Sequence, residues 1–431
     1  MPINLPFPSL PSFPLPPSFP GIRPHSTFPD NDPIAFPHDE GVHPHMKTEW
    51  WYLNGHLGGT RGEQFDFFCA LAHLPNVLTV KANPDHWKVP LPVPDLMGAT
   101  AWDGGLTSRR AGATGPGHHW IRQVRPYVVP WSPQCNHGLL PERLDVNFPT
   151  WQGPVARMKR MDNQHIAADV PFGPNARLVL ELTQSLQMPP LLVGGQGTID
   201  MGPKGRSRYY SLPSLQAHGT VNENGNVAVV DGTVWMDHQW GDMAFFDGWT
   251  HWKWFGVQLD GGTEIVTFAF WNDRGHVQSN ASMLLPDGRS EHLVATADKA
   301  PVLRVTDDAS RWESPRTHVK WPLKCSIDIP PWNLKLDVEP VAQDQEVPGS
   351  GPHGFITPGP FFPNYWEGGV TVKGQLDGKP VTGKAYEEML GYYADNDRAL
   401  PAPATVLGDM AAALSRWLVD AKTDIHGHIW S

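Results

Sequence analysis

The sequence predicts an all-β protein that ends in a single helix, and two observations carry that expectation. Short alternating apolar runs are separated by Gly, Asp and Asn turns, and helical periodicity is scarce until the last thirty residues or so. At 431 residues, with 18% charged and 40% hydrophobic side chains, the chain is too long for one ordinary core. It suits two soluble globular domains.

Residues 1–24 come first. They are apolar, but Pro6, Pro8, Pro11, Pro14, Pro16, Pro17 and Pro20 forbid the helical core of a signal peptide, and no Lys or Arg precedes them. They read as a Pro-rich extended arm, expected to be mobile, with wrapping the body of the protein or tethering a partner as the alternatives. Glu49 to Leu57, the turn Gly58-Gly59-Thr60-Arg61-Gly62 and Gln64 to His73 read as a hairpin, with Phe65, Phe67, Cys69, Leu71 and His73 on one face. Residues 81–160 are rich in Pro, Gly and Trp with few strand signals, which predicts long loops covering an opening. A second hairpin pairs Trp249 to Leu259 with Glu264 to Trp271 across Asp260-Gly261-Gly262. A third pairs Val370 to Leu376 with Val381 to Leu390 across Asp377-Gly378. In residues 404–422, Leu407, Met410, Leu414, Trp417, Leu418 and Ala421 follow the spacing of an amphipathic helix. The expected division is an arm at 1–24, an N-terminal domain at 25–245, a C-terminal domain at 246–400, and a helix and tail at 401–431.

Composition excludes several function classes. A net charge of -11 and a pI near 6.0, with no Lys/Arg run, argue against a nucleic-acid groove. No run approaches the roughly 20 apolar residues of a bilayer span. A soluble, cytoplasmic protein is therefore expected, in contact with a membrane only peripherally if at all. Cys69, Cys135 and Cys325 are widely spaced and odd in number, so they are expected as buried or free thiols. There is no Gly-x-Ser-x-Gly elbow, His-Glu-x-x-His pair, phosphate-binding loop or dinucleotide fingerprint. His43, His45, His56, His73 and His238 match no standard metal-site spacing, and no metal or other cofactor is expected.

The chemistry concentrates where acids meet aromatics. Glu49-Trp50-Trp51-Tyr52 with Asn54-Gly55-His56 is one such place, and Trp235-Met236-Asp237-His238-Gln239-Trp240-Gly241 is another. Tyr365-Trp366-Glu367-Gly368 and Tyr386-Glu387-Glu388-Met389 complete the set. Strand alternation puts Met236, His238 and Trp240 on one face and Trp235, Asp237 and Gln239 on the other; Glu49 points with Trp51, and Trp50 with Tyr52. If Glu49 and His238 share an apolar cavity, desolvation raises the carboxylate's pKa and lowers the imidazole's, which suits an acid and base near neutral pH. A His bonded to a core carboxylate is also a common structural device.

These segments carry a resemblance. Phe36-Pro37-His38-Asp39 through Leu57 is similar to the opening signature of the lipocalin-like family that contains hydroxyneurosporene synthase (carotenoid 1,2-hydratase) and the AttH-type proteins. The segments around His238 and Trp252, and those around Trp366 and Tyr386, resemble its central and terminal signatures; together they cover most of residues 36–393. The resemblance implies two consecutive lipocalin-like or calycin-like β-barrel or β-sandwich domains with a ligand cavity in or between them. It also implies cofactor-independent chemistry on apolar unsaturated molecules: hydration of carotenoid ends, hydration of a prenylated isoflavonoid by fungal kievitone-hydratase-like relatives, and cycloaddition of polyenes by Diels-Alderase relatives. The His and Trp implicated in carotenoid hydration carry over to His238 and Trp240. Those hydratases also use a Tyr and an Asp about one hairpin later. The corresponding Glu264 to Phe270 has neither, and Asp273 lies in the following turn. Another acid, Glu49 or Glu367, then has to serve, or the reaction is cyclisation or isomerisation.

The expected enzyme therefore binds a hydrophobic small molecule, a terpenoid or polyketide, and protonates or folds it with His238, Glu49 and Trp240 as catalytic residues. Trp50, Trp51, Tyr52, His73, Asp237, Trp252, Trp254, Trp366 and Glu367 are expected to line the substrate. Five of these indoles (Trp50, Trp51, Trp240, Trp252 and Trp254) would stabilise developing cationic charge through their ring faces. The rival readings are a lipocalin-type carrier, which needs no acid or base, and an interaction protein that works through its Pro-rich arm.

Overall fold

The computed structural model describes residues 33–43, 46, 48–74, 99–110, 119–130, 144–150, 153–172, 175–201, 205–241, 251–272, 274–296, 298–347 and 364–392. Of these, 73–74, 99–103, 110, 119–130, 147–150 and 153–155 are described by their backbone alone. The Pro-rich arm and the predicted helix at 404–422 lie outside the described residues, as does the expected domain boundary between residues 245 and 246.

Two antiparallel sheets make up the fold, each lipocalin-like in its curl around a core. The first contains β1 (Thr48–Gly59), β2 (Glu63–Leu74), β3 (Ala99–Arg110), β4 (His119–Pro130), β5 (Asp145–Thr150), β6 (Gly153–Arg160), β7 (His165–Pro171), β8 (Ala176–Thr183), β9 (Leu191–Leu192), β10 (Thr198–Asp200), β11 (Arg206–Glu223) and β12 (Asn226–Gly241). Its order is β4-β3-β2-β1-β12-β11-β8-β7-β6-β5, with β9 and β10 also on β11. Next come β13 (His251–Leu259), β14 (Glu264–Asn272), β15 (Gly275–Leu284), β16 (Ser290–Thr296), β17 (Arg304–Asp307), β18 (Trp312–Glu313), β19 (Lys320–Trp321), β20 (Cys325–Ile329), β21 (Leu334–Pro340), β22 (Glu346–Val347), β23 (Tyr365–Leu376) and β24 (Lys379–Leu390). The second sheet runs β16-β15-β14-β13-β24-β23-β21-β20-β17, with β22 on β23, and β18 and β19 pair separately. In both sheets the first strand in sequence pairs with the last, β1 with β12 and β13 with β24. This central seam brings residues nearly two hundred positions apart into contact.

Alternation then produces three apolar layers. Trp51, Leu53, Phe65, Phe67, Cys69, Leu71, Tyr210, Met236 and Trp240 belong to the core of the first sheet. Phe255, Val257, Ile265, Trp321, Trp366, Val370, Ala385 and Met389 belong to the core of the second. The opposite faces of the same strands meet each other through Tyr52, Phe68, Tyr209, Trp235, Trp252, Trp254, Phe268, Tyr365 and Tyr386. Each side chain of this size, fully buried, contributes about 1.5–3 kcal/mol by removal from water.

The three expected hairpins are present as β1–β2, β13–β14 and β23–β24. Cys69 and Cys325 are buried, as expected. The expectation of long loops over 81–160 is corrected: β3, β4, β5 and β6 all lie in that range as strands of the first sheet. Glycine hides the pattern. A Cβ on Gly105 would stand 2.6 Å from the Phe68 ring, and one on Gly104 would stand 3.1 Å from Phe172. Here β3 needs glycine because large rings fill the space beside its backbone. Among the described residues, no helix is long and apolar enough to cross a membrane.

Candidate active site

The seam between β1 and β12 presents two different polar clusters, one on each face. On the inner face, Glu49 Oε1 lies 2.9 Å from His238 Nε2 and 2.8 Å from His43 Nδ1, while Glu49 Oε2 accepts a 2.8 Å bond from the His43 backbone N–H. Glu49 and His238 are fully buried. Indole rings fix both imidazoles: Trp240 stacks on His43 at 4.1 Å and Trp51 on His238 at 4.5 Å. Burial pulls the His238 pKa down. Burial acts the same way on His43, but the Glu49 charge and hydrogen bond and the nearby Asp39 carboxylate outweigh it and raise the imidazole to about 9. The segment before β1 is anchored here as well, by paired 2.5 Å bonds from Arg160 to Glu40 and by Trp51 Nε1 donating to the Glu40 carbonyl.

The outer face belongs to the layer between the sheets. Asp237 accepts hydrogen bonds from Tyr209 (2.7 Å), Ser211 (2.6 Å) and the Trp235 indole (2.7 Å). Trp254 Nε1 donates to the Tyr209 hydroxyl at 3.0 Å. Glu388, from β24, accepts from Trp252 Nε1 at 2.7 Å, and Tyr52 donates a 2.5 Å bond to Glu367 of β23. Rings pack around these acids, with Trp254 edge-on to Tyr52 at 5.6 Å and to Trp235 at 6.3 Å. Burial is the leading cause of the raised pKa values, about 6 for Asp237 and about 7 for Glu388. At Asp237 its three hydrogen-bond donors hold the shift back. Glu264, also on this face, is pushed by burial to about 8. A carboxylic acid that keeps its proton near neutral pH, set among aromatic faces, can give that proton to an electron-rich carbon.

The predicted residues therefore divide. His238, Glu49, Trp240 and Trp51 come together on the inner face of the first sheet. Tyr52, Asp237, Trp252, Trp254 and Glu367 come together between the sheets, with Trp50 packed against that layer. Trp366 joins neither group: it is buried in the core of the second sheet and its indole donates to the Gln343 carbonyl at 2.8 Å. The His73 backbone pairs with that of Glu49, and its side chain lies outside the described residues. Sequence reasoning assigned no role to Tyr209, Ser211 or Glu264, and quoted Glu388 within its segment without giving it one. The alternation of β24 carried the signal for Glu388, because it sends Tyr386, Glu388 and Leu390 to one face and Ala385, Glu387 and Met389 to the other.

Comparisons with known proteins agree with this architecture. The profile of the AttH-like family matches residues 137–392, more than half of the chain. Among solved structures, an AttH protein from Nitrosomonas europaea is 23% identical, with a TM-score of 0.63 over 84% of this chain and 98% of its own. Kievitone hydratase from Nectria haematococca is 16% identical, with a TM-score of 0.58 over 84% of this chain and 93% of its own. CghA is 13% identical, with a TM-score of 0.50 over 85% and 96%. No curated protein matches the chain.

Proposed function

The chain belongs to the AttH-like family, and from that premise we propose that it is a cofactor-independent enzyme that protonates an apolar, unsaturated terpenoid-like or polyketide-like molecule at the layer between the two sheets. One observation carries the reading: Glu388, half-buried on the face between the sheets, accepts the Trp252 indole N–H and stands opposite Trp254 in the strand pairing, with desolvation raising its pKa to about 7. Its proton would pass to an alkene carbon, leaving cationic charge on the neighbouring carbon. The faces of Trp252, Trp254 and Tyr52 would each stabilise that charge by about 0.5–2 kcal/mol. Water or an internal nucleophile then adds, and the proton it releases returns to the Glu388 carboxylate. Water gives a hydratase, an internal alkene or hydroxyl gives a cyclase, and loss of a different proton gives an isomerase. Kievitone hydratase, which shares this fold, is by name a hydratase; the proposal extends that class of reaction to this chain. Asp237, tied to three donors, is the second acid of the site.

The test is comparative mass spectrometry of apolar metabolites from cells lacking the gene, complemented with wild type, Glu388→Gln, Asp237→Asn or His238→Ala. The expected result is a precursor that accumulates in the deletion and with Glu388→Gln, and that is related to the wild-type product by one water or by equal mass. Loss of product with His238→Ala but not with Glu388→Gln would move the chemistry to the inner cluster. A ligand that binds wild type and leaves unchanged would make the protein a carrier.

A further inference from the structure

We propose that His43, Glu49 and His238 form a divalent transition-metal site, best suited to zinc, that clamps the segment preceding β1 to the inner face of the first sheet. The inference does not rest on the proposed reaction, whose residues lie on the opposite face of the same strands. His43 Nδ1, Glu49 Oε1 and His238 Nε2 lie within 4.8 Å of one another, and Glu49 Oε1 is 2.8 and 2.9 Å from the two nitrogens. Two imidazoles and one carboxylate are a donor set that zinc accepts. Zinc bonds of about 2.0–2.2 Å place tetrahedral ligands roughly 3.4 Å apart, so Glu49 Oε1 need part from each of the two nitrogens by only about half an ångström to admit the ion.

The surroundings are those of a metal centre. His43 turns its other nitrogen, Nε2, toward Asp39 Oδ1 at 3.6 Å, the carboxylate–histidine arrangement that orients a metal-bound imidazole. Trp240 and Trp51 stack on the two rings at interplanar angles of 4° and 17° and hold their planes. The second oxygen of Glu49 is held by the His43 backbone N–H, which leaves Oε1 at the point of convergence. The His43 side chain is 17% exposed while Glu49 and His238 have none, so water reaches the cluster from the His43 side and can fill the fourth position. The three ligands come from the segment before β1, from β1 and from β12, so one ion would cross-link three parts of the chain. The histidine spacing in the sequence misses this set because its members are separated by almost two hundred residues and joined by a glutamate.

The test uses the full chain, stripped with chelator, desalted and titrated with zinc sulfate alone. The expected result is one zinc per chain by plasma mass spectrometry after desalting, together with a higher thermal midpoint. Asp39→Asn should weaken zinc affinity roughly 10- to 100-fold at unchanged stoichiometry, and Glu49→Gln and His238→Asn should abolish stoichiometric binding. Because those buried substitutions can disturb folding, cobalt(II) added to wild type provides a second readout that needs no variant. The intense visible bands of a four-coordinate site are expected. Zinc at background in wild type would overturn the proposal, as would equal zinc in wild type and a folded His43→Ala/His238→Asn variant, or the weak spectrum of hydrated cobalt.

Discussion

The two sheets carry a buried ionisable pair at the same place in their topology, and the two pairs behave in opposite ways. On the first seam, Glu49 of β1 stands opposite Trp240 and bonds His238, two residues away on β12. On the second, Lys253 of β13 stands opposite Met389 and bonds Glu387, two residues away on β24, at 3.0 Å. The register and the diagonal are the same. Lys253 is also 2.9 Å from Asp307, and although burial works against its charge, the acids around it hold its pKa well above the ordinary value. It is a fixed cation. The first pair joins two groups that can each become neutral, and burial already favours neutral His238. One seam thus holds a permanent charge lock and the other a titratable cluster, and only the second kind can exchange protons.

The largest effect should come from breaking the fixed lock. Glu387→Leu leaves Lys253 buried with only the partly exposed Asp307 as an acidic partner. The expected loss is about 3–5 kcal/mol, measured by urea unfolding. Glu49→Leu on the first seam should cost less, about 1–3 kcal/mol, because His238 relaxes to a neutral ring. If the order of these two losses is reversed, the comparison fails.

A smaller effect separates the seams by pH. The His43 pKa is raised from 6.5 to about 9 in the folded chain. Its contribution is therefore fully present below pH 6.5 and is lost as pH rises through 9. In the metal-free chain, thermal midpoints should fall across that window in wild type and show a shallower decline in His43→Gln, while Lys253 remains charged throughout. The smallest change is expected between the sheets. Glu388→Gln keeps an acceptor for Trp252, so stability at pH 6 should move by no more than about 1 kcal/mol while product formation is lost. The raised carboxyl of Glu388 loses its stabilising contribution as pH climbs from the ordinary carboxylate range through about 7. Melts of wild type should therefore decline over that range more steeply than those of the Gln variant.

Much of the fold was legible because strand alternation has a period of two. Asp260-Gly261-Gly262 and Asp377-Gly378 marked their turns, and the faces of β1 and β12 followed from counting residues. β3 was not legible, because glycines stand where Phe68 and Phe172 press on its backbone. The candidate site was half legible: Tyr52, Asp237, Trp254 and Glu367 were identified by type and spacing, whereas Glu388 was passed over beside Glu387 although the two point into different layers.

By itself, then, the sequence determined the all-β class, the principal hairpins and which side chains share a face, since each is set by local geometry. The tertiary structure alone decided that Glu49 meets His238 and His43, that Tyr52 meets Glu367, and that the acids of β12 and β24 share one apolar layer. Those meetings depend on pairing between strands far apart in the chain and on one sheet covering the other. The same burial that raises Asp237 and Glu388 toward neutral pH exists only once that cover is in place.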